Sequence, residues 1–291
     1  MTPLAQLLDA LAPEEGYNPT ALPGVGVYRA STSRPREPLC YQQGIIIMAQ
    51  GSKRVHLEDQ HLDYDPDHYL VLTLPIPAEC ETRVKPGEPL LSLLVDIDLA
   101  QLNALVRLFD EHQLGQAGND RLAEGRSLYV SPMTESFSEL VLKLARALQS
   151  PLELAALGEG LVRELLFHLL QGAHAGPLFA LARHNTHLAR LERALKHLHD
   201  HFHRPLEVEQ LASLANMSPS TFHRNFRQMT ASSPIQYQKK LRLTRAKELL
   251  LDQGLKVKQA AAMVGYESPT QFSREFKRYF GQTPQHCAQG G

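Results

Sequence analysis

The sequence predicts an α+β chain of two parts, an antiparallel β-barrel with accessory helices in front and an all-α tandem helix-turn-helix domain behind. Three observations predict it. Residues 25–97 hold short apolar or alternating runs cut by Gly, Pro and Asp, whereas residues 98–184 space their apolar residues at the helical period. Between 206 and 284 one pattern is written twice: Leu206, Val208, Gln210 and Ala212 recur 49 positions later as Leu255, Val257, Gln259 and Ala261. After a one-residue insertion, Ser218, Pro219, Phe222, Arg224, Phe226 and Pro234 recur 50 positions later as Ser268, Pro269, Phe272, Arg274, Phe276 and Pro284. Charge divides at the same place. Residues 185–291 carry 16 Lys/Arg and 8 Asp/Glu, a net of +8, and residues 1–184 carry 14 and 23, a net of −9, although the 291-residue chain totals only −1. A basic back half fits nucleic acid, joined to a front half that does not touch it.

Taken in order, residues 4–11 can form a short amphipathic helix before the Pro and Gly cluster at 13–24. The segments GVGVYRA, YQQGIIIMAQ, KRVHLED, HYLVLTL and LLSLLVDI then read as strands bounded by turns, the texture of a barrel or sandwich. Small barrels hold ligands in their mouths, so a small-molecule sensor is expected of residues 1–97. In 98–184, Leu99, Leu102, Leu105, Val106 and Phe109 form one stripe, and Phe137, Leu140, Val141, Leu144 and Leu148 another. Leu152 to Leu170 is a third such segment, and Gly115 to Gly125 reads as a loop. These helices are suited to cover an open face of the barrel. Leu188, Leu191, Leu195, Leu198 and Phe202 open the third region, 185–291, with a helix that docks on the first repeat.

Each repeat (206–229 and 255–279) reads as helix, tight turn, helix. In the first, Leu206, Leu211, Leu214 and Ala215 make the leading helix one-sided. Ser218 is an N-cap with Pro219 at the first helical position. On the following helix Phe222 and Phe226 share the core face with Met229, while Ser220, Arg224 and Arg227 point away. The second copy buries Phe272, Phe276 and Tyr279 and exposes Thr270, Arg274, Lys277 and Arg278. A helix of this kind enters the major groove, where Arg addresses guanine and cations further along, such as Arg227 and Lys277, meet phosphate. Residues 235–252 lack Pro and Gly, and Gly254 supplies a stop. An 18-residue helix there spans about 27 Å, which suits two reading helices set about 34 Å apart, one DNA turn.

Other classes of chemistry find little support. MTPLAQLLDALAPEEG has no basic region of the secretory kind, and the longest apolar runs are far shorter than a membrane span, so a cytoplasmic protein without membrane contact is expected. Cys40, Cys80 and Cys287 form no CxxC pair and are expected as thiols. Cys80, close to Arg83 and Lys85, is the one candidate for effector contact, as a cation-activated thiol, set against an inert half-buried cysteine. His56, His61 and His68 lack metal-ligand spacing. His197 and His201, like His199 and His203, stand one helical turn apart, but no Cys or acid at matching spacing completes a zinc set. No metal or other cofactor is expected.

Residues 187–287 resemble the DNA-binding domain of the AraC/XylS family of bacterial transcription regulators, through Ala260 to Pro284 with GYESPTQFSREFKRYFGQTP. Gln50-Gly51-Ser52-Lys53, Tyr64 to Tyr69 and Leu74-Pro75-Ile76-Pro77 are similar to the cupin-like sensing half of one branch of that family. The resemblance implies base-reading positions at Ser220, His223 and Arg224, and at Thr270, Gln271, Ser273 and Arg274, with the first site the better reader. Pro269 stands where relatives often carry a polar base-contacting residue. It further implies promoter DNA and RNA polymerase as partners, a small-molecule effector, a homodimer formed through 98–184, and an activator rather than an enzyme. The alternatives are a cupin-type metalloenzyme with accessory DNA binding and a ligand-independent DNA-architectural protein.

Overall fold

The computed structural model describes residues 1–57, 60–112, 127–183, 186–251 and 253–289. Met1–Arg36, Gln42–Leu74 and Cys80–Ala189 form one compact unit, and Glu37–Tyr41, Pro75–Glu79 and Arg190–Gly291 a second. Residues 98–184, expected as a region of their own, therefore belong with the β-rich part, and two short strand segments are grouped with the C-terminal helices.

The chain begins with α1 (Pro3–Leu11), capped by the Thr2 hydroxyl, which accepts from the Ala5 N–H, and started by Pro3. Ten strands follow: β1 (Gly16–Pro19), β2 (Val25–Ala30), β3 (Arg34–Tyr41), β4 (Gly44–Gln50), β5 (Ser52–Leu57), β6 (Gln60–Tyr64), β7 (His68–Leu72), β8 (Ile76–Arg83), β9 (Leu90–Val95) and, after a helix, β10 (Leu128–Pro132). They make a six-stranded sheet in the order β1-β2-β9-β4-β7-β10 and a four-stranded sheet in the order β3-β8-β5-β6. The five expected strand runs correspond to β2, β4, β5, β7 and β9. β3 escapes the pattern because its two prolines and exposed arginines suit only a sheet edge, which is where it lies. β10 lies inside the stretch expected to be all helical and pairs with β7 from Leu128↔Leu72 to Pro132↔His68. The predicted loop at 115–125 lies outside the described residues.

Side-chain alternation sorts the large sheet into two faces. On one, Arg29 pairs with Asp9 of α1, and Tyr69 stacks at 4.6 Å on Phe137 of the helix Glu135–Ala147. On the other, Tyr28 and Met48 stand opposite Ser92, and Ile46 opposite both Leu94 and Leu70. The second face looks into the space between the sheets, because the Lys53 ammonium of β5 lies 4.2 Å over the Tyr28 ring.

The helices of this unit are α2 (Leu99–Glu111), α3 (Glu135–Ala147), α4 (Pro151–Gln171) and α5 (Gly176–Ala182). Leu102, Leu105, Val106 and Phe109, with Phe137, Leu140, Val141, Leu144 and Leu148, are buried as their stripes predict. Leu152 and Leu157, near the start of α4, remain exposed. No single helix among the described residues is long and apolar enough to cross a membrane.

The C-terminal helices are α6 (His187–Asp200), α7 (Val208–Leu214), α8 (Pro219–Thr230), α9 (Pro234–Leu251), α10 (Val257–Met263), α11 (Pro269–Phe280) and α12 (Pro284–Gln289). Leu188, Leu191, Leu195 and Leu198 of α6 are buried. Leu211, Ala212 and Ala215 are buried along α7, whereas Leu214, expected on that stripe, is exposed. At 100° per residue Leu214 falls well off the centre of the arc those three define.

Candidate nucleic-acid interface

Both helix-turn-helix units are built by the same local rules. The Ser218 and Ser268 hydroxyls accept from the Thr221 and Gln271 N–H groups, and Pro219 and Pro269 occupy the first helical positions of α8 and α11. The phenylalanine pairs are fully buried, with ring centroids 5.4 Å apart for Phe222 and Phe226 and 5.5 Å for Phe272 and Phe276. The repeat extends to the backbone. Asn216 and Gly265, 49 apart, are left-handed in the turns (φ 51° and 84°), and Ala231 and Gly281, 50 apart, are left-handed at the ends of α8 and α11 (φ 50° and 74°).

One helix holds the two units. α9 has 18 residues, hence about 27 Å of length, and a polar side of it grips backbone that has no helical partner. Gln238 donates to the Phe202 and Arg204 carbonyls at 3.0 and 2.8 Å. Arg242 donates to the same two at 2.7 and 2.6 Å and to the Gly265 carbonyl at 3.0 Å. The loop before α7 is thereby tied to the turn of the second unit. That turn is tight: a Cβ on Gly265 would lie 2.0 Å from the His203 carbonyl oxygen.

A second cluster lies behind α11. Glu275, almost fully buried, forms an ion pair with Lys239 of α9 at 2.9 Å and accepts from the Tyr266 hydroxyl at 2.9 Å and the Gln271 amide at 3.3 Å. Burial alone would raise its carboxyl, but those three donors outweigh it and hold the pKa below the usual range. His199 of α6 is bonded through Nε2 to the Tyr237 hydroxyl at 2.8 Å, and burial, with Arg245 adding to it, pushes its imidazole down to about 4.

Against this frame the residues named from sequence fall on one side. Ser220, His223, Arg224 and Arg227 of α8 are exposed, as are Thr270, Gln271, Arg274 and Lys277 of α11, while Ser273 is half-buried. Each reading helix thus presents hydroxyl, amide and guanidinium groups away from its phenylalanine core, the donor set that addresses base edges and phosphates. Cys80 stands apart from this set. It is buried, and on β8 it alternates with Glu81, which bonds His56 at 2.7 Å and Arg83 at 2.9 Å on the outer face, so the Cys80 side chain faces inward. No disulfide joins Cys40, Cys80 and Cys287.

Residues 211–289 match the model of a helix-turn-helix domain, and residues 21–177 match that of the AraC-type transcriptional regulator N-terminus. The chain belongs to the AraC-type transcriptional regulators. It is 39% identical over 99 residues to the HTH-type transcriptional regulator AlkR of Acinetobacter baylyi, a stretch covering 34% of this chain and 32% of AlkR. It is 33% identical over 153 residues to the HTH-type transcriptional activator RhaS of Escherichia fergusonii, covering 51% of this chain and 55% of RhaS. The chain therefore spans about a third and about half of those two relatives. In fold it is similar to ToxT of Vibrio cholerae O395, with a TM-score of 0.60, 11% identity, and coverage of 91% of this chain and 97% of ToxT.

The sequence reading missed the Gln238 and Arg242 clamp, the Glu275 cluster and the inward-facing Lys53. The clamp and the Lys239–Glu275 ion pair join residues far apart in sequence and leave no periodic trace, and Gln271 with Glu275, one helical turn apart, reads from sequence only as a polar face. Lys53 did leave one, because it stands in phase with Val55 on a strand whose other face carries Arg54 and His56.

Proposed function

We propose that this chain is a cytoplasmic, sequence-specific regulator that binds promoter DNA with α8 and α11 in successive major-groove segments, under the control of a small-molecule effector bound in the β-rich unit. The observation that carries it is the pair of duplicated helix-turn-helix units fixed on one 18-residue helix, both with exposed reading faces. Arg224 and Arg274 address base edges, with Ser220, His223, Thr270, Gln271 and Ser273 beside them, and Arg227 and Lys277 meet phosphate. The division of labour is sensing by residues 1–97, dimerisation by 98–184 and DNA binding by 185–291. Homodimer formation is supported by the exposed Leu152 and Leu157 on α4, apolar surface that a second copy would cover. The regulator acts as an activator through RNA polymerase and is not an enzyme.

The test is a footprint of the full-length protein on the DNA upstream of its own gene and its neighbours. Two protected major-groove segments about one helical turn apart on one face of the duplex are expected. Uniform, sequence-independent protection with a steep salt dependence would instead make it an architectural DNA coat.

A further inference from the structure

We propose that Arg242 is a positioning residue that sets how the two reading helices are turned relative to each other, and with it the spacing of half-sites that one chain accepts. This rests on the reading of α8 and α11 as the DNA-contacting helices.

A connecting helix fixes the distance between its ends, and it leaves open how each unit is rotated about it. The 18 residues of α9 supply the distance. The rotation is fixed by a second connection that runs outside the helix. The loop from Phe202 to Arg204, which leads from α6 into the first unit, meets the second unit at successive residues. The Phe202 ring packs on the second unit's core, the cluster that holds Val264, Phe272 and Phe276. The His203 carbonyl faces Gly265 so closely that a Cβ there would overlap it. The carbonyls of Phe202 and Arg204, on either side, both accept from Arg242.

One guanidinium thereby joins the entry of the first unit to the turn of the second. Nε donates to Phe202 at 2.7 Å, Nη2 to Arg204 at 2.6 Å and Nη1 to Gly265 at 3.0 Å. Its donors diverge in a rigid plane, so the three carbonyls are fixed relative to one another and not merely drawn toward a charge. A lysine ammonium is a point charge on a flexible stem and cannot impose that arrangement. Gln238, one turn earlier on α9, donates to the Phe202 and Arg204 carbonyls as well. It holds the loop to the helix, whereas Arg242 holds loop, helix and second turn together.

The consequence falls on DNA. One base pair added between two half-sites moves the second by about 3.4 Å and turns it by about 34–36°. Two units locked in rotation cannot both follow, and two units that can rock can. Modules on one chain gain about 10²–10⁴ in affinity from engaging together, and lose it where geometry forbids the second contact.

The experiment is a gel-shift titration of the full-length protein on its footprinted site, and on versions with one base pair added or removed between the two protected segments. The wild type should lose about a hundredfold or more on either altered spacing. Arg242→Lys keeps the charge and the helix-forming stem and loses the fork. It should bind the original site more weakly, because the two units must then be ordered on binding, and lose about tenfold or less on the altered spacings. An equal loss on every spacing, with a lower urea midpoint, would make Arg242 a stabilising residue and overturn the proposal, as would a wild type indifferent to spacing. If Arg242→Lys does not fold, Gln238→Met, which takes one donor from each loop carbonyl, is read in the same way: a broadened profile is expected, and an unchanged one overturns the proposal. A two-segment footprint with an unchanged spacing profile in the variant removes the role of Arg242 and leaves the DNA reading standing. Uniform, sequence-independent protection by the wild type removes both.

Discussion

Replacing Gly265 with Ala tests whether the two helix-turn-helix units are held as described. Gly265 is left-handed at φ 84°, and its added methyl would lie 2.0 Å from the His203 carbonyl oxygen, which belongs to backbone pinned in place. The left-handed conformation costs an alanine about 1–2 kcal/mol. The overlap cannot be relieved by a side-chain rotation, so the turn must retreat from the His203 loop and stretch the 3.0 Å bond from Arg242 to the Gly265 carbonyl. A hydrogen bond to a charged group contributes about 1.5–3 kcal/mol. Together the loss is about 2.5–5 kcal/mol, a large part of a domain stability of about 5–15 kcal/mol. Urea unfolding followed by circular dichroism, with a gel shift on promoter DNA, reads both consequences: a lower midpoint and a weakened second half-site. Asn216→Gly, at the matching turn of the first unit, should be neutral or slightly stabilising. A Gly265→Ala protein within about 1 kcal/mol of the wild type would refute the clamp.

Other outcomes follow from the same geometry. Ala231→Gly should stabilise the protein by about 0.5–1 kcal/mol in denaturant titration, since it removes left-handed strain that exceeds the chain entropy glycine adds to the unfolded state. Protonation of His199 is disfavoured in the folded state, so the unfolded chain binds more protons between pH 6.5 and about 4 and stability falls as pH drops through that window. The loss should be on the order of 2–3 kcal/mol and should shrink in His199→Gln, measured as the pH dependence of the unfolding midpoint. Arg224→Ala and Arg274→Ala should each weaken binding at the cognate site by about 1–3 kcal/mol and relax base preference there, as read by competition with mutated sites. A loss equal on every sequence would make them phosphate contacts.

The C-terminal half was legible because three signals agreed: a repeat at 49 and 50 residues, Ser-Pro helix starts, and phenylalanines four apart that leave arginine on the opposite face. The structure adds that the repeat reaches residues with no sequence identity, Asn216 with Gly265 and Ala231 with Gly281, because the turn requires a backbone angle and not a side chain. The β-rich half was legible only where strands are apolar throughout or alternate cleanly. β3 and β10 lie at sheet edges, where one side of the ladder needs no partner and prolines are tolerated, so their composition reads as loop. Lys53 was read as part of a strand but not as part of its buried face, since a charge in an alternating run is ordinarily its solvent side.

The tie between Gln271 and Glu275 bears on the base contact proposed for α11. A free glutamine surrenders about 1.5–2 kcal/mol of rotamer freedom when it is fixed against a base. Gln271 has surrendered part of that already, because one hydrogen of its amide nitrogen is given to Glu275. The other hydrogen and the carbonyl oxygen remain, and that pair suffices to grip adenine through N6 and N7. On the proposed reading, α11 would approach DNA with that amide already partly committed. It would gain a narrower choice of partner, and it would forgo the latitude to swing toward a neighbouring base when the sequence beneath it changes.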